Sequence, residues 1–327
     1  MAELDIEMAD TARAIVDTCL DVRPDEEVLV ITDARRLNVG RAIATASKAA
    51  GATTTLAIMP LLESHGNEPP PVIAEGMRTA DVAFTCTTYA ITHTKARTAA
   101  FEAGTRTGSL REVTEDMMIE GAMTVDFEML RTVTNAVRDR LQVAKEGRVV
   151  SKPGTDISFS LDGADAFALN GFYSEVHGFA TLPPGEAPTR PIEGTANGTV
   201  VFDVSMDNIG WLDDPIELTV EDGWVTGVAG GAEAAQLQRI FDENDENARN
   251  LAEVAIGTNW NARLIGNIAE DKKANGTVHL AVGDNVSLGG DVRSEIHLDG
   301  VIERPTVYLD GEIVVEDGEL GRQFYPD

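Results

Sequence analysis

Glu27-Val-Leu-Val-Ile-Thr32 is a short apolar run rich in β-branched residues, and its setting decides the fold of the first half of the chain. The run reads as a short strand that ends at Asp33. Similar runs recur at residues 53–59 (Thr-Thr-Thr-Leu-Ala-Ile-Met) and 81–87 (Asp-Val-Ala-Phe-Thr-Cys-Thr). Helical periodicity lies around and between them, at residues 6–20, 41–50, 71–78 and 94–103, and Gly51 and Gly104 follow two of these helices. A fourth, short strand is expected over residues 109–113 and a long helix over 127–146. Strands separated by helices predict a parallel sheet with helices on its faces, an α/β domain over residues 1–147. The carboxyl ends of the strands are Thr32-Asp33, Pro60-Leu61 and Thr87-Thr88. Ligands often bind at such ends. No GxGxxG or Walker pattern follows any of them, which speaks against a nucleotide site.

From Arg148 the texture changes. Strand-like runs at residues 156–161, 198–203, 216–220 and 224–229 are separated by turn signals such as Asp162-Gly163 and Asp222-Gly223. One helix is expected over residues 232–252. Its run Asp242-Glu243-Asn244-Asp245-Glu246-Asn247 reads as a solvated face. Further strands are expected at 277–282, 294–298, 306–309 and 312–315. The second half, residues 148–327, therefore reads as a mixed, largely antiparallel α+β domain, with the boundary near Gly147.

The chain has 327 residues, 43% of them apolar, a net charge of −29 and, by count, six lysines against twenty arginines. The acidic excess repels nucleic acid and anionic membranes. Spread along the chain rather than gathered in a tail, it suggests a halophilic surface, since salt screens the self-repulsion. Cys19 and Cys86 are isolated and read as buried free thiols. The opening residues Met-Ala-Glu-Leu-Asp are acidic, and no run reaches membrane-span length. The expectation is a soluble cytoplasmic protein.

The chemistry concentrates in the second half. His279 lies in Gly-Thr-Val-His279-Leu-Ala-Val-Gly, and His297-Leu-Asp299-Gly follows. In a strand, residues i and i+2 share a face, so His297 and Asp299 present an imidazole and a carboxylate to one point. A ligand from a neighbouring strand would complete a divalent-metal site. The alternative is a packed core His279 and a turn at Asp299-Gly300. Glu186, in Leu-Pro-Pro-Gly-Glu186, sits in a loop stiffened by two prolines. Glu253 lies among Leu, Ala, Val, Ala and Ile, and a buried carboxylate needs a partner, a metal or Arg263. His93 and His177 (in Glu175-Val-His177) are weaker candidates, and His65 reads as a loop residue.

Several stretches together resemble the thermophilic aminopeptidase T family of metallopeptidases. They are Ala255-Ile-Gly-Thr-Asn-Trp-Asn-Ala-Arg263, Glu270-Asp271-Lys272-Lys273, the His279 and His297 segments, Leu-Pro-Pro-Gly-Glu186, and in the first half Ile91-Thr-His93-Thr with Thr114-Glu-Asp-Met117. The resemblance implies an α/β amino-terminal domain, a metal-binding carboxy-terminal domain and a homodimer. It places Glu186, Glu253, His279, His297 and Asp299 on metal-ligand positions, with Glu253 and Glu186 as catalytic carboxylates. It implies two ions, zinc or cobalt, that activate a water to release amino-terminal residues from short peptides. The family carries a tyrosine seven residues after its first metal histidine, where this chain has Val286. That departure and the shorter chain point to a sister group, the 2,5-dihydroxypyridine dioxygenases, which use a mononuclear Fe(II). On that alternative His279, His297 and Asp299 form the triad, and the substrate is a hydroxylated N-heterocycle.

Overall fold

Val28 and Val30 point to one side of strand β1 (Glu27–Thr32), Leu29 and Ile31 to the other, and all four are buried. In the computed structural model, which describes residues 6–92, 94–174 and 178–326, β1 is an inner strand of a parallel sheet. Its partners are β2 (Thr53–Ile58), β3 (Val82–Cys86), β4 (Arg106–Ser109) and β7 (Phe179–Thr181), in the order β2-β1-β3-β4-β7. Helices α1 (Ala9–Ala14, continued by a π-helix, Ile15–Cys19), α2 (Leu37–Ala49) and α5 (Glu115–Ile119) share a core with Val28 and Val30. Helices α3 (Pro71–Thr79) and α4 (Lys95–Glu102) cover Leu29 and Ile31. The α/β expectation for the first half holds.

Two details differ from the sequence reading. The fourth strand lies at Arg106–Ser109, before the expected 109–113. Its buried positions are Thr107, Gly108 and Ser109, and a Cβ on Gly108 would meet Phe84 at 3.1 Å. Close packing against a neighbouring ring favours a glycine there, so no apolar run marks the strand. The long helix α6 (Phe127–Val143) ends before Glu146, where β5 (Glu146–Ser151) begins.

The chain forms two compact units, Met1–Arg131 with Leu169–Pro184, and Thr132–Ala168 with Gly185–Asp327. The change-over thus falls inside α6, where the composition shift suggests a single cut at Gly147. The excursion at residues 169–184 returns the chain to the first unit and supplies β7, a strand of three residues, too short to show a period.

The second unit holds two antiparallel sheets. The larger has the order β13-β12-β9-β6-β5-β17-β18-β19. Beside β5 it comprises β6 (Asp156–Ser160), β9 (Asn197–Phe202), β12 (Ile216–Glu221), β13 (Trp224–Gly230), β17 (Pro305–Leu309), β18 (Glu312–Glu316) and β19 (Glu319–Leu320). The smaller runs β11-β10-β16-β15-β14-β8. It comprises β8 (Glu186–Thr189), β10 (Ser205–Met206), β11 (Gly210–Trp211), β14 (Leu251–Gly257), β15 (Val278–Gly283) and β16 (His297–Ile302). The mixed, largely antiparallel expectation holds here too.

Helix α7 spans Ala232–Glu243, not residues 232–252. Asn244 leaves the helix in an extended conformation, and Asp245 caps a following 3-10 turn by accepting from the Asn247 N–H at 2.9 Å. Asp245 also accepts from the Ser294 hydroxyl and the Glu295 N–H. Part of the acidic run is therefore structural, and Glu253 belongs to a strand rather than to a helix end. Cys19 and Cys86 are buried and free, and burial pushes both thiols up from their ordinary range. No described helix is long and apolar enough to cross a membrane.

Candidate metal centre

The central strands of the smaller sheet have one apolar face and one polar face. Val254 and Ile256 of β14, Val278, Leu280 and Val282 of β15, and Leu298 and Ile302 of β16 join the main core of the unit. The alternate residues face the other way. The register aligns Glu253, Ala281 and Asp299 in one row and Ala255, His279 and Val301 in the next. Gly283 pairs with His297 and Gly257 with Glu186 at the two ends. Ala255, Gly257, Ala281 and Gly283 are small, which leaves room between the functional side chains. Gly257 has a strict reason to be small, because a Cβ there would meet the Ala274 carbonyl oxygen at 2.1 Å.

All five residues singled out in the sequence thus lie on one sheet face, yet they are not equivalent. Glu253, His297 and Asp299 bring one ligand atom each to within 4.8 Å of one another. His297 Nε2 is 3.1 Å from Glu253 Oε2 and 3.3 Å from Asp299 Oδ1. Its other nitrogen lies 2.7 Å from the Asp284 carbonyl oxygen, which can only accept, so Nδ1 carries a proton. With Nδ1 protonated, a neutral imidazole keeps the Nε2 lone pair for a cation. His279 stands one step aside, its Nε2 at 3.1 Å from Glu253 Oε1. Glu186 opens β8 rather than sitting in a loop and is fully buried. Gly185 before it has φ +113°, and a Cβ there would come 2.6 Å from that of Asn259. Arg263 pairs with Glu270 at 3.2 Å. The partners that the structure gives Glu253 are the two histidines, not Arg263. His93 and His177 lie outside the described residues.

The sequence reading missed the role of Lys272 and Lys273. They follow the one-turn helix α8 (Ile268–Asp271). Lys272 Nζ lies 2.7 Å from Asp299 Oδ2 and 3.6 Å from Glu186 Oε2, and Lys273 forms a tight ion pair with Glu186 Oε1. The turn that presents them is itself clamped: Asp271 accepts from Ser205 Oγ at 2.6 Å and from the Ile265 N–H at 2.7 Å. Two signs were available: these are two of the chain's six lysines and they are adjacent, and they lie in a stretch that carries the resemblance to the aminopeptidase T family.

The electrostatics follow from these contacts. Burial alone would raise the Glu253 carboxyl, but the hydrogen bonds from His279 and His297 outweigh it and hold it down at about 2. Burial would likewise raise Asp299, and Lys272 and His297 bring it well below the usual carboxylate range. Burial opposes a charged His297, but Asp299 and Glu253 raise it well above an ordinary histidine. Burial lowers Lys273 to about 8 despite the attraction of Glu186. A proton on His297 thus holds the two carboxylates together, at the point where a divalent cation could replace it. Asp299 Oδ1, buried with only His297 Nε2 beside it at 3.3 Å, is an oxygen that a cation replacing the proton would satisfy. The donors present fit a divalent metal ion.

The sequence profile of the NicX family, 2,5-dihydroxypyridine 5,6-dioxygenase, matches residues 7–322. The chain belongs to this family. A curated relative, the 2,5-dihydroxypyridine 5,6-dioxygenase of Pseudomonas putida KT2440, is 28% identical over 198 residues. That match spans 57% of this chain and 57% of the relative's length. Among solved structures, the 2,5-dihydroxypyridine dioxygenase of the same organism superposes with a TM-score of 0.81 at 20% identity, covering 97% of this chain and 98% of that one. Wild-type AmpT from Thermus thermophilus superposes at 0.70 and 17% identity, over 96% and 99% of the two chains. At these identities both structures show the fold. Family membership overturns the expectation of a metalloaminopeptidase hydrolase acting in proteolysis. The resemblance to aminopeptidase T reflects a shared scaffold, and the dioxygenase alternative is the one the family supports.

Proposed function

We propose that this protein is a mononuclear non-haem Fe(II) dioxygenase that opens the ring of a hydroxylated N-heterocycle of the 2,5-dihydroxypyridine type. The observation that carries the reading is the convergence of Glu253, His297 and Asp299, within 4.8 Å of one another, in a chain of the NicX family. Non-haem Fe(II) oxygenases typically hold the metal with two histidines and one carboxylate and leave positions open; here His297 and Asp299 supply one of each, and Glu253 stands in the third place where the sequence reading expected His279. A bound Fe(II) would supply those open positions and a path for electrons from the substrate to dioxygen, both atoms of which enter the ring-opened product.

The chain's own residues prepare that chemistry. Asp284, through its carbonyl, fixes the tautomer and rotation of His297. Lys272 holds Asp299 Oδ2 and so aims Oδ1 at the metal position. His279 restrains the other carboxylate, Glu253. His297 is the most open of the three, with 30% of its side chain exposed against 8% for Glu253 and 3% for Asp299, so the substrate approaches past its ring. In this reading the protein works as a cytoplasmic homodimer on a small aromatic molecule, without a nucleic-acid or membrane partner. Light scattering tests the dimer.

The activity test is oxygen consumption. Protein reconstituted with Fe(II) in the absence of air is mixed with 2,5-dihydroxypyridine and oxygenated buffer. The expected result is one dioxygen consumed per ring lost, with decay of the aromatic absorbance. Iron-loaded protein that takes up no oxygen with this substrate would sink the reading.

A further inference from the structure

His297 is oriented by a backbone carbonyl, so its ring is only as fixed as the peptide that carries that oxygen. The peptide lies in the loop between β15 and β16, residues 284–296. The Asp284 carbonyl, which accepts from His297 Nδ1, and the Asn285 N–H are the two ends of one planar unit. The Asn285 N–H donates to the Val292 carbonyl at 3.0 Å, and the Val292 N–H donates to Asn285 Oδ1 at 2.9 Å. The Asn285 carbonyl accepts from the Leu288 and Gly290 N–H groups, each at 3.0 Å. Asn285 is fully buried, and a Cβ on Gly290 would come 2.2 Å from its Cγ, so the loop closes around this side chain. One group of Asn285 points out of the loop: Nδ2 donates to Glu193 Oε1 at 2.7 Å.

We infer that Glu193 is a positioning residue for the metal centre: it holds Asn285, and through Asn285 the Asp284 carbonyl that orients His297. Glu193 follows β8, and its two oxygens have separate duties. Oε1 accepts from Asn285 Nδ2 and, at 3.3 Å, from the Asp291 N–H, so it grips the loop at two points. Oε2 accepts from Arg190 Nη1 at 2.8 Å, which keeps the carboxylate from swinging away. A charged acceptor makes a stronger hydrogen bond to an amide than a neutral one does. Without it Asn285 Nδ2 would be buried and unpaired, a cost the loop can relieve only by turning that side chain toward water. Such a turn carries with it the planar unit that Asn285 shares with Asp284, and His297 Nδ1 loses its acceptor. The inference deepens the proposed function, because it rests on the reading that His297 binds a metal.

Metal affinity and the His297 ring proton test it without reference to turnover. The full chain is titrated with Mn(II) alone by calorimetry. The Nδ1 proton of His297 is followed by nuclear magnetic resonance in protein loaded with Zn(II), a diamagnetic probe. Asn285→Asp sets a second carboxylate against Glu193. Mn(II) affinity should then fall about 10- to 100-fold, the cost of losing an outer-shell partner, and the ring proton should exchange faster with solvent. The double variant Glu193→Gln/Asn285→Asp reverses donor and acceptor, so both readouts should return toward the parent. A purely structural role would lower the urea midpoint and leave both readouts at parent values, and that result overturns the inference. So does a double variant no better than Asn285→Asp. Either outcome leaves the metal-site reading intact. A parent that binds no Mn(II) overturns the inference together with that reading. Should Asn285→Asp not fold, Glu193→Ala replaces it, with the same loss expected and parent-like affinity overturning the inference.

Discussion

The two ends of the polar face in the smaller sheet carry the same kind of acid but different counterions. At one end Glu253 and Asp299 face a histidine, a ligand whose proton can be exchanged for a metal. At the other end Glu186 faces lysines, whose charge is covalently tethered and not exchangeable. Asp299 belongs to both, with Oδ1 toward His297 and Oδ2 toward Lys272. The first end is built to hold an ion that comes and goes, the second to stay fixed. Breaking each end should therefore have a different consequence.

The largest effect should come from the exchangeable end. His297→Ala removes the imidazole ligand, and metal affinity should fall more than about 100-fold, beyond what loss of an outer-shell partner costs. Calorimetric titration should show this with an unchanged far-ultraviolet spectrum. Retained binding would mean that the metal sits elsewhere. At the fixed end the consequence should be stability. Lys273→Met strips Glu186 of its closest counterion and should cost about 3 kcal/mol in urea unfolding. An unchanged midpoint would show that Lys272 alone satisfies Glu186.

Also at the fixed end, across from Glu186, Gly257→Ala places a methyl against the Ala274 carbonyl oxygen and should cost about 2 kcal/mol by overpacking. Parent-like stability would show that the β14 backbone can shift. The smallest effects are in pH. In the metal-free protein Glu253 is held at about 2 against an ordinary 4.5. A depressed carboxyl contributes stability above its unfolded value and loses it on acidification. Unfolding free energy should therefore decline as pH falls from 4.5 toward about 2. Lys273, lowered to about 8 from 10.5, acts in the other window. The unfolded chain binds the extra proton there, so stability should rise with pH between those values. A Lys273→Met variant that keeps this rise would assign it to another group.

The sequence showed the exchangeable end more clearly than the fixed one. The i, i+2 spacing of His297 and Asp299 needs only strand periodicity to be read. Glu253 stands out because an acid among aliphatic residues needs a partner, although it lies within a strand whose first residues overlap the expected helix over 232–252. Lys272 and Lys273 follow Glu270 and Asp271, and such a mixed charge run looks solvated until the fold buries it. In the first unit, β1 and β3 were legible because both their faces are apolar. The fourth strand is built from Thr, Gly and Ser, and β7 spans three residues, so neither carries a hydrophobic period. The chemistry was the least legible part. Imidazole and carboxylate donors serve hydrolysis and oxygenation alike, and the difference rests on family membership across residues 7–322.

The central claim is that oxygen from dioxygen, not from water, enters the product. Iron-loaded protein should be turned over with 2,5-dihydroxypyridine under ¹⁸O₂ and the ring-opened product weighed by mass spectrometry. The account predicts two heavy oxygen atoms in each product molecule. A product carrying none, with its new oxygen drawn from solvent, would contradict it.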